Sequence, residues 1–348
     1  MASRKKNDNL TVDKTIIEQT QTKEPTLSAE REKITEKKQD EDKRIKYVNK
    51  DNSTKVAIRS AMLSHTYITA TISGVSFKKG NLLIEATYCP ELNQPVSVYI
   101  PIDKFGIDRN SVINSIKKRY ESMNIKVSES QINTEFEKRA SSTVTKMLGA
   151  EIDVVPTAFL EDDFTVVGDR AAALEIKKQD FKPTKHSPIP KKHIGAVGNA
   201  RILLVNLSGL LVEFSGFIVR LPMDKVTPLA VDVLRTYYVG DTLPVRVIAI
   251  KEDYSQIALR SLEFEKIDID EKLNEYSRGG RVIATVVNYQ SSQGKYVLRL
   301  PNGCKGIAYV NKQTILDKPQ IGDRLICYIR GISKKEKSAI KCSISRIQ

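Results

Sequence analysis

Residues 291–311 read SSQGKYVLRLPNGCKGIAYVN, two short apolar runs around a Pro-Asn-Gly turn. Turn residues between two β-type runs signal a hairpin. Each run sets a tyrosine among cations. Tyr296 lies near Lys295 and Arg299, and Tyr309 lies near Lys305 and Lys312. The fold turns on this hairpin, because the same arrangement of short strands recurs along the chain.

Working outward, RVIATVVNYQ precedes the hairpin as a first strand. NKQTILDKPQIGD connects it onward, and RLICYIRGISKKEKSAIKCSISRI supplies a final pair. The preceding block follows the same scheme. GNARILLVNLSGLLVEFSGFIVRLPMDKV gives three strands, TPLAVDVLRTYYVGD a short helical or irregular connection, and TLPVRVIAIKEDYSQIALRS the last two. Gly240-Asp241 and Gly322-Asp323 fall at the same point of two copies that repeat at about 70 residues. Gly149-Ala150-Glu151 holds the equivalent place in a first copy. Its strands are YITATISGVSFKKGNLLIEATY, folded at a Lys-Lys-Gly-Asn turn, then VSVYIPID and the hairpin AEIDVVPTAFLEDDFTVVGD. That copy is enlarged because its connector carries two amphipathic helices, DRNSVINSIKKRYESM and SESQINTEFEKRASSTVTKMLG, the second ending on Gly149 as its C′ residue. Five short strands with a helical element between the third and fourth is the plan of the OB-fold, a small barrel that buries one face of each strand.

The expected class is therefore mainly β: tandem five-stranded barrels behind a charged tail. The tail, 1–55, includes SAEREKITEKKQDEDKRIK and has too little apolar surface to fold alone, so it is read as disordered. The first barrel spans 56–180, with its helical insertion at about 108–148. FKPTKHSPIPKKH, 181–193, is a Pro-rich basic linker. The second barrel spans 194–266 and the third 267–348.

Composition narrows the function classes. The 348 residues carry a formal net charge of +14, which favours phosphate polymers as partners. No run approaches the ~18 apolar residues of a spanning helix, and MASRKKNDNLTVDKT lacks an apolar signal core. A cytoplasmic protein with no membrane partner is expected. Cys89, Cys304, Cys327 and Cys342 form no C-x-x-C pair, and His65, His186 and His193 are scattered, so no metal site or cofactor is expected. Phosphate-binding P-loop and nucleophile-elbow motifs are absent. Glu161-Asp162-Asp163 falls in a hairpin turn, which explains it without a metal. No catalytic residue is assigned, and the chain is read as no enzyme.

The third block has a further order of motifs. Arg278-Gly279-Gly280-Arg281-Val282 opens it. Gly294-Lys295-Tyr296-Val297, Gly306-Ile307-Ala308-Tyr309 and Gly322-Asp323-Arg324-Leu325 follow, and Ala339-Ile340-Lys341-Cys342-Ser343 closes it. In this order the block resembles the S1 domain, the RNA-binding OB-fold first described in a ribosomal protein. Tyrosine replaces the family's phenylalanine in Gly-x-Phe-Val and its histidine in Gly-Leu-x-His. Gln293 stands where a second aromatic is usual, and the arginine of strand five falls on Ala339, with Lys341 two residues on. The second copy is a degenerate S1-like barrel, with Leu211 and Val219 at the two ring positions. The first, with Gly80-Asn81-Leu82-Leu83 and Tyr99-Ile100-Pro101-Ile102, also lacks the pair.

The resemblance implies low-specificity binding of single-stranded RNA on the third barrel. Tyr296 and Tyr309 would stack bases, and Arg299, Lys305 and Lys341 would reach the backbone. By residue type alone, a strand tyrosine is more often half-buried packing, the reading kept for Tyr289 and Tyr328. Single-stranded DNA and the ribosome stay open as partners. The helical insertion reads as a brace on its own barrel or as a docking surface for a protein partner. A second class, a protein-interaction scaffold built from barrels, has no need of exposed tyrosines framed by cations.

Overall fold

The computed structural model describes residues 53–78, 81–90, 95–183, 189–311, 314, 318–333 and 339–348. The tail up to residue 52, Lys79 and Gly80 of the first hairpin turn, His186, Lys312 and the KKEK loop at 334–337 lie outside the described residues. Helix α1, residues 53–63, begins within the span assigned to the tail. It buries Ile58 and Ala61 in the first barrel's core.

The first barrel is built of β1 (Ile68–Lys78), β2 (Asn81–Tyr88), β3 (Val96–Pro101), β4 (Glu151–Leu160) and β5 (Thr165–Asp169), closed in the order β1-β2-β3-β5-β4. Alternation drives closure. Ile68, Ala70 and Ile72 of β1 face inward to meet Ile84, Val98, Ile152 and Val166, while Thr69 and Thr71 face water. The connector holds α2 (Arg109–Ser122) and α3 (Glu129–Thr145), started by the Asp108 cap and the Ser128/Gln131 capping box. Ile116, Ile132 and Phe136 of this pair enclose Leu82 in a small second core, so the helices brace their own barrel. α3 ends at Thr145, and Gly149 is not its cap.

The third barrel repeats the plan with β11 (Arg281–Gln290), β12 (Lys295–Arg299), β13 (Lys305–Tyr309), β14 (Arg324–Ile332) and β15 (Ala339–Ile347), again closed. The middle copy has β6 (Val197–Asn206), β7 (Gly209–Phe214), β8 (Phe217–Pro222), β9 (Thr242–Ile250) and β10 (Ile257–Ser261). Its sheet runs β10-β9-β6-β7-β8 and stays open, because no ladder joins β8 to β10. The strand order is that of the OB-fold in all three copies. Among the described residues no helix is long and apolar enough to cross a membrane.

The repeated glycine explains the register. Gly149, Gly240 and Gly322 sit at φ of 85°, 93° and 100°. Each donates its N–H to a carbonyl at the bulge of its barrel's first strand: Ile72 at 2.9 Å, Ile202 at 2.9 Å and Val286 at 2.8 Å. The same three residues donate back to the carbonyls of Ala150, Asp241 and Asp323. The glycine thus fixes where strand four enters beside strand one, a role needing a left-handed backbone.

The three copies form one compact unit, Ser53–Gln348. A helix with no counterpart in the sequence reading, α4 (Arg170–Lys178), follows β5 and joins the first two copies. Arg170 is buried and pairs with Glu213 of β7 at 2.7 Å, while its Nη1 donates to the Phe105 carbonyl at 3.2 Å. Lys177 bridges Asp153 of β4 to Glu213, and Arg201 of β6 reaches Asp153 at 2.9 Å. The segment read as a linker begins with Phe181, which is buried edge-on against Phe214 and Phe217 in the second core. The second and third copies meet through the connector after β8. Ala230 N–H donates to the Gly303 carbonyl at 3.0 Å, and Leu229 forms a β-bridge with Cys304.

Gly322→Ala lowers stability by about 1–2 kcal/mol, the cost of a Cβ in the left-handed region. Gly240→Ala loses more, because its Cβ would stand 3.0 Å from the Gly149 carbonyl oxygen. Urea titrations measure both. Glu213→Gln strips the partner from buried Arg170 and Lys177 and costs about 3 kcal/mol. Burial alone would raise the Glu213 carboxyl, but Arg170 and Lys177 hold it below the usual range. Its contribution is therefore present above the unfolded carboxylate pKa and lost as pH falls through the lower folded value. Melting temperatures recorded across acid pH for wild type and Glu213→Gln should converge.

Candidate functional site

β12 and β13 carry Tyr296 and Tyr309, as expected, but on opposite faces. Residues directly opposite in an antiparallel pair share a face. Tyr296 stands opposite Ala308, and Lys295 stands opposite Tyr309. The face of Tyr296 and Ala308 is the interior one, shared with Leu298, and Tyr296 is 5% exposed. Tyr309 points outward and is 46% exposed. The ring pair therefore does not form one platform: both motifs are present, but their spacing puts the rings an odd step apart on the pleat. Burial, and then neighbouring Tyr289, raise the Tyr296 phenol above its ordinary pKa. A bulge between Val286 and Asn288 turns Tyr289 toward Tyr296, with ring centroids 4.6 Å apart.

The outer face of β12 and β13 is largely covered. Lys295, Val297 and Ile307 point away from the core, yet all are buried. Val297 shares a small cavity with Met223, Pro228 and Leu229 of the second copy's connector. The middle of the surface on which the stacking pair was expected, at Val297 and Lys305, is thus part of a joint with the second copy, and Tyr309 stands exposed at its edge.

The cations fare differently. Arg299 faces Lys305 across β12 and β13, Thr285 of β11 faces Arg299, and Arg324 of β14 faces Thr285. Arg324, Arg299 and Lys305 therefore form one outward row across four strands. Neighbouring strands lie about 4.8 Å apart, so the arginines are roughly 10 Å apart at the backbone. Lys341 pairs with Ile307, one outward row further along, and is exposed. In the other direction the face continues through Ile283 to Arg281, whose guanidinium lies 5.1 Å from the ring centroid of Tyr328. Arg281, Arg299 and Arg324 line a groove of about 660 Å³ floored by Ile283 and Ile326. All three arginines are exposed. Such a face offers guanidinium donors for phosphates and a partly apolar floor.

Arg299, Lys305 and Lys341 of the expected site thus lie on the outer face. Arg281, Arg324 and Tyr328 join it without having been anticipated. Their only signal in the sequence was an outward parity matching that of Arg299, which gains meaning once the strand register is known.

No protein-family model matches the chain, and no curated protein matches it. Among solved structures, the chain is similar at 11% identity to a multidomain protein with nucleic acid binding domains from Streptococcus pneumoniae TIGR4. That likeness covers 80% of this chain and 73% of the other, with a TM-score of 0.16. It is similar at 9% identity to Drosophila Unr CSD456, over 81% of this chain and 96% of that one, also with a TM-score of 0.16.

The two tyrosines should separate in stability measurements. Tyr296→Ala empties part of the third core and costs about 3 kcal/mol or more. Tyr309→Ala changes stability by less than about 0.5 kcal/mol. Urea denaturation of the two variants measures the difference.

Proposed function

We propose that this chain is a non-catalytic, cytoplasmic nucleic-acid-binding protein of S1-like barrels that holds single-stranded RNA on the outer face of the third barrel. The observation that carries the reading is the group of exposed arginines Arg281, Arg299 and Arg324, with the part-buried Lys305 continuing their row toward the joint. Cations aligned across a sheet on an uncovered face suit a phosphate backbone, and the positive charge of the whole chain strengthens attraction at a distance. The part-buried Tyr328 lies on this face, and Tyr309 and Tyr289 are also exposed on the barrel. Since Tyr328 is engaged by Arg281, base stacking is secondary to phosphate contact here. Little reading of base identity follows, and single-stranded DNA binds if no 2′-hydroxyl contact is made.

The scaffold reading draws on one observation: the covered β12–β13 face is occupied by protein, namely the second copy's connector. It accounts for that face and leaves the arginine groove without a role. The helical insertion, packed on Leu82 of its own barrel, fits a brace better than a partner's docking surface.

Binding of a short fluorescent single-stranded RNA at two salt concentrations tests the proposal. Arg299→Ala/Arg324→Ala should weaken binding about tenfold or more and lower the salt slope by roughly 1.4, the share of two phosphate contacts on a single strand. Unchanged affinity and slope would remove the arginine face from consideration. A DNA oligomer of the same sequence separates backbone recognition from ribose recognition.

A further inference from the structure

The first and second copies enclose a cavity of about 550 Å³. Small-molecule sites span roughly 300–1,000 Å³. Its place in the fold follows from the unclosed middle sheet. In the closed barrels the third and fifth strands pair in parallel, as Ser97 with Thr165 and Lys305 with Ala339. The corresponding β8 and β10 share no ladder. The cavity opens at this seam, lined by the starts of both strands at Phe217–Arg220 and Ser255–Ile257. The backbone edges that close the other two barrels therefore border a space here.

The opposite wall is α4, which presents Arg170, Leu174 and Lys178 at helical spacing of four. Arg170 is fully buried. Two of its nitrogens are used by Phe105 and Glu213, and its Nε has no partner among the described residues. An orphaned guanidinium N–H in a buried wall is costly unless something accepts from it. The buried network behind the wall sets three cations, Arg170, Lys177 and Arg201, against two carboxylates, Asp153 and Glu213. Glu151 reaches Arg201 only at 3.9 Å and is half exposed. Arg220, which also donates to the Ser208 hydroxyl at 3.1 Å, adds positive charge on the lining; Lys178 does so with Glu175 beside it at 2.6 Å, the lining carboxylate Asp108 is turned to the Ser111 N–H as a helix cap, and Leu174, Met147 and Ile257 are apolar.

We infer that this inter-barrel cavity binds a small organic anion with an apolar or aromatic body, its charged group directed toward Arg170, Lys178 and Arg220. The site is separate from the arginine groove of the third barrel and independent of nucleic-acid binding. It would couple the ligand to the joint between the first two copies, because α4 is both the wall of the cavity and the bridge across that joint.

The test is fluorescence titration of the full chain with the aromatic sulfonate 8-anilino-1-naphthalenesulfonate, beside its uncharged counterpart N-phenyl-1-naphthylamine. The sulfonate should bind at one equivalent in the micromolar range, and at least about tenfold more tightly than the neutral compound. Arg220→Glu, on an exposed residue, should weaken the sulfonate about tenfold. Ile218→Trp, which fills the cavity from β8, should abolish binding while circular dichroism stays native. Arg299→Glu, on the third barrel, should leave it unchanged. No sulfonate binding, equal binding of the neutral compound, or insensitivity to Arg220→Glu would overturn the inference. If Ile218→Trp fails to fold, Arg220→Glu and the neutral compound still decide.

Discussion

Each copy depends on a reciprocal pair of backbone bonds between a left-handed glycine step and the bulge in its first strand. Gly149, Gly240 and Gly322 give their N–H groups to Ile72, Ile202 and Val286, and these residues donate to the peptide that follows the glycine. The bulge bends strand one, and the glycine step delivers strand four to its edge at one register. Register in turn decides which side chains go inward, since a slip of one residue would send Leu325, Cys327 and Ile329 to water. The first two copies even abut at this point, with Gly240 lying against the Gly149 carbonyl.

The copies are then held by two unlike joints. Between the first and second the joint is ionic and buried, with Arg170, Lys177 and Arg201 interleaved with Asp153 and Glu213. Such a network contributes little net attraction over an apolar contact, but a partner removed leaves a charge stranded, so it fixes geometry strongly. Between the second and third the joint is apolar and backbone-mediated, through Leu229, Ala230 and the 303–304 turn. The second joint has a functional consequence. It covers the middle of the outer face of β12 and β13, at Val297, and leaves Arg281, Arg299 and Arg324 on β11, β12 and β14 open. The charge available to a polymer is therefore carried chiefly by Arg281, Arg299 and Arg324, spread over β11, β12 and β14, and only β12 is shared with a tyrosine motif.

The open middle sheet belongs to the same logic. Phe181 fills the second core from outside the five strands, and α4 lies along its flank. A sheet covered in this way does not need a closing ladder to protect its apolar face. The unpaired seam is the structural origin of the cavity beside Arg170.

What the sequence determined by itself was local and periodic. Alternation gave the strands, the Gly-Asp steps gave the repeat, and the amphipathic pattern gave the two helices of the insertion, because each of these rests on neighbours a few residues apart. The mainly β class and the five-strand order followed from them. Arg299 and Lys305 were also within reach, since their outward parity is set by the same hairpin. The tertiary structure decided the rest. Tyr296 and Tyr309 are thirteen residues apart, and their faces depend on the turn between them, so a motif spacing could not reveal that one ring points into the barrel. Arg281, Arg324 and Tyr328 reach Arg299 only through the ladders of β11 with β12 and β14. The partnership of Arg170 with Glu213 spans 43 residues and two barrels. These are long-range pairings, and a single sequence encodes them only through the packing of everything between.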